Sequence, residues 1–314
     1  MVEEIGEDAE EQRIDNFLLR RLKGVPKSHV YQVLRTGQVR VNSRRVGPDY
    51  RLQAGDRVRF PPVRVPERPA PRRPESGPDL WDQAVFEDDV VAVIDKPAGV
   101  ASHGGSGVAF GLIEALRAKR PGLRYLELVH RLDKETSGLI VVAKRRSALT
   151  ALHAQLRTRS VDKSYLALVR GAWRERDAAV SLPLLKHRNR AGERHVSVHR
   201  DGQAAATEFR AERQFRGLTL VRARLLTGRT HQIRVHLAHL GHPIAGDEKY
   251  GDFAWNRELN RAGLKRMFLH AERLAFTHPR SGDRLELQAP LPLELERFLQ
   301  TLDAGSCAAA TPGP

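Results

Sequence analysis

Residues 128–143 read LVHRLDKETSGLIVVA. Two apolar runs, Leu128-Val129 and Leu139–Val142, bracket the polar segment His130–Gly138. The second run is short, branched and preceded by Ser137-Gly138, which marks a buried strand rather than a helix. A polar loop on such a support is a common place to present a reactive side chain. Three chemistries are open. A serine hydrolase needs Ser in a GxSxG elbow, which Thr136-Ser137-Gly138 does not supply. A hydrolytic glycosidase needs two carboxylates about the scissile bond. A single carboxylate such as Asp133 can also act alone as a nucleophile. Residue types do not choose among these, and an Asp in a loop is by default a cap or turn residue.

Working outward, Val90–Ile94 reads as a strand entering Asp95-Lys96-Pro97-Ala98-Gly99, and Leu112, Ile113 and Leu116 as a helix. Tyr165–Val169, Thr207–Phe215, Leu218–Leu226 and Arg284–Gln288 have strand character, with helices near 147–157, 231–240 and 292–302. The mixture predicts an α+β fold with a mainly antiparallel sheet. The segment after His103-Gly104-Gly105 lacks the GxxxxGK[ST] frame, so nucleoside triphosphate binding is not expected.

Toward the N-terminus, residues 61–78 contain seven prolines and read as an extended spacer. Before it, Ile14, Phe17, Leu18 and Leu22 form one amphipathic helix, and Val30, Val33 and Leu34 a second that ends at Gly37. Val39–Val41 and Val58–Phe60 are short strands, with a turn at Asn42-Ser43. The predicted division is a small module over 13–63, a proline-rich linker over 64–80, a larger domain over 81–302 and a disordered tail over 303–314. The acidic head is expected to be disordered as well.

The chain of 314 residues carries 53 Lys and Arg against 38 Asp and Glu, a net +15 with a pI near 10.5. That balance suggests a polyanionic partner, most simply nucleic acid. Residues 1–12 hold six acids and no base, whereas residues 13–63 hold twelve bases against three acids. Arg20, Arg21, Lys23, Lys27, Arg35, Arg44 and Arg45 lie off the apolar stripes, and few acids balance them. They read as a phosphate-binding face. Cys307 is the sole cysteine, which excludes an internal disulfide framework and a Cys-based zinc site. His231, His236, His239 and His242 fit no standard zinc spacing, so phosphate contact or helix capping is preferred and no metal is expected. No run approaches a membrane span and no secretory signal opens the chain, so a cytoplasmic protein with no membrane partner is expected.

Two resemblances sharpen this reading. RIDNFLLRRL, VPKSHVYQVLRTGQVRVNSRRV and LQAGDRVRF resemble an S4 RNA-binding domain, with Ser43 where that family usually has glycine. HRLDKETSG resembles the signature loop of the RluA/RluC/RluD-type pseudouridine synthases of large-subunit ribosomal RNA. DKPAGV (95–100), DKSYLALV (162–169) and LLTGRTHQIRVHLAHLGHPIAGDEKYG (225–251) recur in the family's order. ASHGGSGVAFGLIEALRAKRP and MFLHAERLAFTHP look most like its C-type member.

The resemblance implies a catalytic domain with a mixed, mainly antiparallel sheet, flanking helices and a central cleft. It implies isomerisation of uridine to pseudouridine in large-subunit ribosomal RNA, by a monomer with no cofactor. On the matching positions Asp133 is the catalytic aspartate, acting at ribose C1′ or on a ribose proton. Arg229 is the cation opposite it, and Tyr165 stacks on uracil and helps remove the C5 proton. Arg131 fills the space left when the base is flipped. His130 is expected to be a donor in the turn. Two rivals stand beside this: an inactive RNA-binding relative, and a nucleobase glycosylase using Glu135 as a second carboxylate.

Overall fold

The computed structural model describes residues 1–6, 9–22, 25–61, 79–104, 110–174, 177–188 and 194–303. In chain order these form β1 (Val2–Glu4), α1 (Ile14–Arg21), α2 (Lys27–Arg35), β2 (Arg40–Val41), β3 (Arg57–Arg59), β4 (Ala84–Glu87), β5 (Val91–Lys96), α3 (Leu112–Lys119), β6 (Glu127–Leu128), β7 (Ser137–Ala143) and α4 (Arg146–Arg157). There follow β8 (Asp162–Arg170), β9 (Asp177–Ser181), β10 (Leu184–Arg188), β11 (Arg194–Val198), β12 (Ala206–Phe215), β13 (Leu218–Leu225), α5 (Gln232–His239), α6 (Phe253–Arg261), β14 (Leu269–Thr277), β15 (Arg284–Gln288) and α7 (Leu293–Asp303).

The N-terminal module has its own core, in which Ile14, Leu18, Val30, Val33, Leu34, Val39, Val41, Leu52 and Val58 are buried. The helical spacings of α1 and α2 put these side chains on facing stripes, as their sequences require. Asn42 and Ser43 both take positive φ, 48° and 68°. Val41 and Arg44 exchange backbone hydrogen bonds across them, a two-residue turn of the primed kind. Asn42 is anchored there: its amide donates to Asp56 at 2.7 Å and its carbonyl accepts from Arg57 N at 2.8 Å.

The described part of the acidic head, residues 1–6 and 9–12, is not disordered. β1 pairs antiparallel with β3, Val2 opposite Arg59 and Glu4 opposite Arg57, while Ile5 and Ala9 enter the module's core. The acids of the head meet a strand flanked by arginines, and backbone pairing plus two buried apolar side chains hold the segment in place. The expected linker falls almost wholly, and the expected tail from 304 onward, outside the described residues.

The larger domain is built on one sheet in the order β4-β5-β7-β14-β8-β13-β12-β9, with β15 on β14 and β6 on β7. Pairing is antiparallel except between β7 and β14. β7 is buried along its whole length, SGLIVVA, as befits a central strand covered on both faces. Alternation sorts the strands: Ala92 and Ile94 of β5 enter one core with Tyr165, Ala167 and Val169 of β8. Val91 and Val93 enter a second core under α4, and Leu166 and Leu168 a third under α6 and α7. Tyr165 therefore faces the same side as α5.

Gly138 shows why the signature loop ends as it does. Its φ is 110°, and a Cβ there would lie 2.3 Å from Ala271 O. Only glycine lets β7 approach β14 at this point.

Candidate active site

The loop between β6 and β7 is tied down on both sides. Leu132 is buried in the core, and its N–H donates to Ser102 Oγ at 3.0 Å while that hydroxyl donates back to Leu132 O at 2.7 Å. His130 is not the expected donor: its Nε2 accepts from Val141 N at 3.2 Å, and burial pulls its imidazole down to about 3, which leaves that nitrogen free to accept. Lys96, fully buried at the end of β5, donates to Pro97 O, Val100 O and Lys134 O, joining the Lys-Pro-Ala-Gly turn to the residue after Asp133. Burial, with Arg266 nearby, pulls the Lys96 ammonium down to about 7.

With Leu132 anchored inward, Asp133 projects into a cavity of about 550 Å³. Arg131, Lys163, Tyr165, Arg229 and His231 also line it. The Asp133 side chain is 17% exposed. Its counterion is not the expected one. Arg229 lies exposed at the start of the Thr-His-Gln turn, where its Nε donates to Ala204 O at 3.1 Å. Arg234 donates instead, from Nη1 to Asp133 Oδ2 at 3.0 Å.

The two arginines differ in where α5 puts them. Arg229 precedes the helix. Arg234 lies within Gln232–Leu237, all six of which are buried, and its side chain can reach only inward. There Asp247, fully buried, accepts from Arg234 Nε and Nη2, both at 2.8 Å. Asp247 Oδ1 also accepts from Lys249 N at 2.8 Å and Tyr250 N at 3.1 Å. Although burial works against both charges, the hydrogen bonds within this pair hold the Arg234 guanidinium above its usual range and the Asp247 carboxyl below its own. Asp247 and Arg234 were missed in the sequence as site residues. The signal was there in Arg234: an arginine between Ile233 and Val235 on an otherwise buried helix demands a partner.

Tyr165 is 6% exposed, and burial and then the charge of Asp133 raise its hydroxyl, which therefore stays protonated at neutral pH. Arg131 is exposed beside the cavity and makes no ion pair among the described residues. Glu135 is not among the described residues that line the cavity and is half-exposed beside Lys134. His236 is engaged by Thr207 Oγ1 at 3.0 Å and Leu182 O at 3.0 Å, and His242 by Arg170 O at 2.8 Å.

In the N-terminal module the expected basic face divides. Lys27, Arg35 and Arg44 are exposed and form no ion pair among the described residues. Arg21 pairs with Glu3 at 2.7 Å, and Arg45 donates to Arg35 O. Arg20 is exposed but engaged: its Nη2 lies 3.2 Å from Glu127 of the larger domain, and its guanidinium 5.7 Å from the Tyr125 ring. Lys23 lies outside the described residues.

A half-buried Asp133, held by an arginine in a cavity beside a tyrosine, thus sits in a chain that also carries a basic two-helix module. Residues 90–239 match the RNA pseudouridylate synthase family and residues 12–58 the S4 domain. The chain belongs to the RNA pseudouridine synthases. It is 52% identical over 301 residues, 95% of this chain and 92% of the relative, to the ribosomal large subunit pseudouridine synthase C of Pasteurella multocida. To the protein of that name from Escherichia coli it is 52% identical over 297 residues, 93% of each chain. Among solved structures, human RNA pseudouridylate synthase domain containing 4 superposes with a TM-score of 0.59 at 26% identity, covering 71% of this chain and 94% of that one. No helix among the described residues is long and apolar enough to cross a membrane.

Proposed function

We propose that this enzyme converts uridines of large-subunit ribosomal RNA to pseudouridine, acting as a monomer in the cytoplasm, with Asp133 as the catalytic carboxylate. The target nucleotide leaves its stack, because the ribose C1′ and a turning base are out of reach inside a helix. Arg131, exposed at the rim, fills the space with a planar guanidinium that stacks on bases. Asp133 acts on the ribose, at C1′ or at a ribose proton, and the N1–C1′ bond breaks. The uracil turns, C5 bonds to C1′, and the C5 proton is given up while N1 gains one. The base is retained, so one carboxylate suffices.

The observation that carries this reading is the solitary, oriented carboxylate: among the described residues Asp133 is the one acid lining the cavity, and it is fixed by Arg234. A glycosylase built on two carboxylates needs a second acid beside Asp133, and Glu135 is not among the described residues that line the cavity. Tyr165, kept as a neutral phenol, supplies a stacking face for uracil. It can accept the C5 proton only by passing its own onward. Arg229 belongs to the mouth, as an RNA contact.

The test is tritium release from C5-labelled uridine in ribosomal RNA by the Asp133→Asn enzyme. Release should vanish while RNA binding persists. Turnover by that variant would overturn the assignment.

A further inference from the structure

A second chain of contacts reaches Asp133 through Tyr250, whose ring centroid lies 5.0 Å from the Arg234 guanidinium. Val196 N of β11 donates to Tyr250 Oη at 3.2 Å. Tyr250 Oη lies 2.7 Å from His231 Nδ1, and His231 Nε2 lies 3.7 Å from Asp133 Oδ1. The phenol has one hydrogen. Its oxygen already accepts from the Val196 backbone, and the only other hydrogen-bond partner recorded for it among the described residues is Nδ1. The hydrogen therefore goes to Nδ1, which leaves the imidazole's own hydrogen on Nε2. Were Nδ1 the donor, the phenol oxygen would accept twice and its hydrogen would have no acceptor among the described residues.

We infer that His231 is a positioning residue for the reaction, held by Tyr250 as the Nε2–H tautomer with that hydrogen aimed at Asp133 Oδ1. The inference rests on Asp133 being the reacting carboxylate. Arg234 takes Oδ2; His231 limits rotation of the other oxygen and leaves it a free lone pair toward the ribose. At 3.7 Å the contact is longer than a hydrogen bond, and a small turn of the carboxylate when substrate binds closes it.

Two further features fit. His231 takes φ 54°, the left-handed region, at the N-terminal boundary of α5, which fixes where its ring points. Burial pulls the imidazole down to about 4 against the attraction of Asp133, so it is neutral and restrains the carboxylate without cancelling its charge. Tyr250 is in turn clamped by the β10–β11 hairpin, whose His195 ring packs 4.8 Å from it.

The test has two arms on the full chain. With ¹⁵N-labelled histidine, His231 should show hydrogen on Nε2 and a bare Nδ1 at neutral pH, and Tyr250→Phe should mix the tautomers. In single-turnover assays His231→Ala should lower kcat about 10- to 100-fold with KM for RNA little changed. His231→Gln, whose amide N–H can occupy the place of Nε2–H, should recover most of that loss. Hydrogen found on Nδ1, or equal losses for the two substitutions, would overturn the inference. The first arm involves no catalysis, so it separates failure here from failure of Asp133→Asn.

Discussion

Arg234 Nη1 donates to Asp133 Oδ2 across 3.0 Å, joining residues that stand 101 positions apart in the chain. Because Asp247 already grips Nε and Nη2 of the same guanidinium, Arg234 cannot swing toward its second carboxylate or away from it. Asp133 meets a cation whose orientation was settled by folding. One arginine shared by two acids also leaves a net negative charge, so the carboxylate is oriented without being neutralised.

Replacing Arg234 by Lys should therefore be severe despite keeping the charge, since an ammonium cannot span two carboxylates as a planar fork does. The expected loss in kcat is about 100-fold or more. Arg229→Gln should behave differently, raising KM for RNA while kcat stays within a few-fold. Single-turnover kinetics on ribosomal RNA separate the two. A collapse of kcat in Arg229→Gln with Arg234→Lys unaffected would restore the assignment expected from sequence.

The same pair sets an acid limit on stability. The Asp247 carboxyl is held below its ordinary 3.8, burial being outweighed by its bonds to Arg234 and two backbone N–H groups. A lowered folded value means the unfolded chain takes up the proton first. The stabilisation is thus complete above 3.8 and is lost as pH falls through the lower folded value. Asp247→Asn should be less stable than the native chain by about 3 kcal/mol or more at neutral pH. The gap should close in strongly acidic solution, as read from thermal unfolding. A gap independent of pH would remove the charge from the explanation.

Much of the scaffold was legible because its strands alternate or run apolar for physical reasons. β5, β7, β8 and β13 were visible that way, as were α1, α2, α4, α5 and α7. The central strand β14 was not. A register break between His270 and Arg273 disrupts its period, and it buries two polar side chains, His270 and Glu272. The tie of His270 to Ser137 and of Glu272 to Arg222 is long-range and leaves no local trace. β1 was hidden by its acidity, because its reason for being a strand lies in β3. At the site, Asp133 and Tyr165 could be marked only because HRLDKETSG and DKSYLALV resemble the family's motifs. TGRTHQIR contains two arginines, and only the helix start between them decides which one turns inward.

The close approach of β7 to β14 gives a sharp steric prediction. Gly138→Ala would place a methyl 2.3 Å from Ala271 O, a backbone atom that cannot move aside, at a φ of 110° that alanine disfavours. Separating the strands would break the parallel pairing at Ser137 and Gly138 that holds the end of the catalytic loop. The expected cost is about 3 kcal/mol or more, beyond what lost chain entropy in the unfolded state returns. Denaturant unfolding measures it, and a cost under 1 kcal/mol would contradict the geometry.

The N-terminal head offers a second stability test. Ile5 is 3% exposed in the core of the small module, although it lies in a segment whose charge suggests disorder. Ile5→Ala should cost about 2–5 kcal/mol in unfolding of that module, the range for a buried aliphatic truncation. A disordered head would show no change. Proteolysis of the native chain at residues 1–5 should be correspondingly slow.

The basic residues of the module should also separate by role. Each of Arg35 and Arg44, exposed and without an ion pair among the described residues, should when changed to Ala weaken RNA binding and lower the salt slope by about one. Arg20 is engaged by Glu127 and by the Tyr125 ring, so its guanidinium is already committed to the larger domain. Arg20→Ala should leave the salt slope unchanged. With Glu127→Ala it should give a coupling of about 0.2–1 kcal/mol in a double-mutant unfolding cycle, small because the Arg20 side chain is 43% exposed. If Arg20→Ala instead lowers the salt slope as Arg44→Ala does, the pair with Glu127 yields to phosphate when RNA binds, and Arg20 belongs to the RNA-gripping face after all.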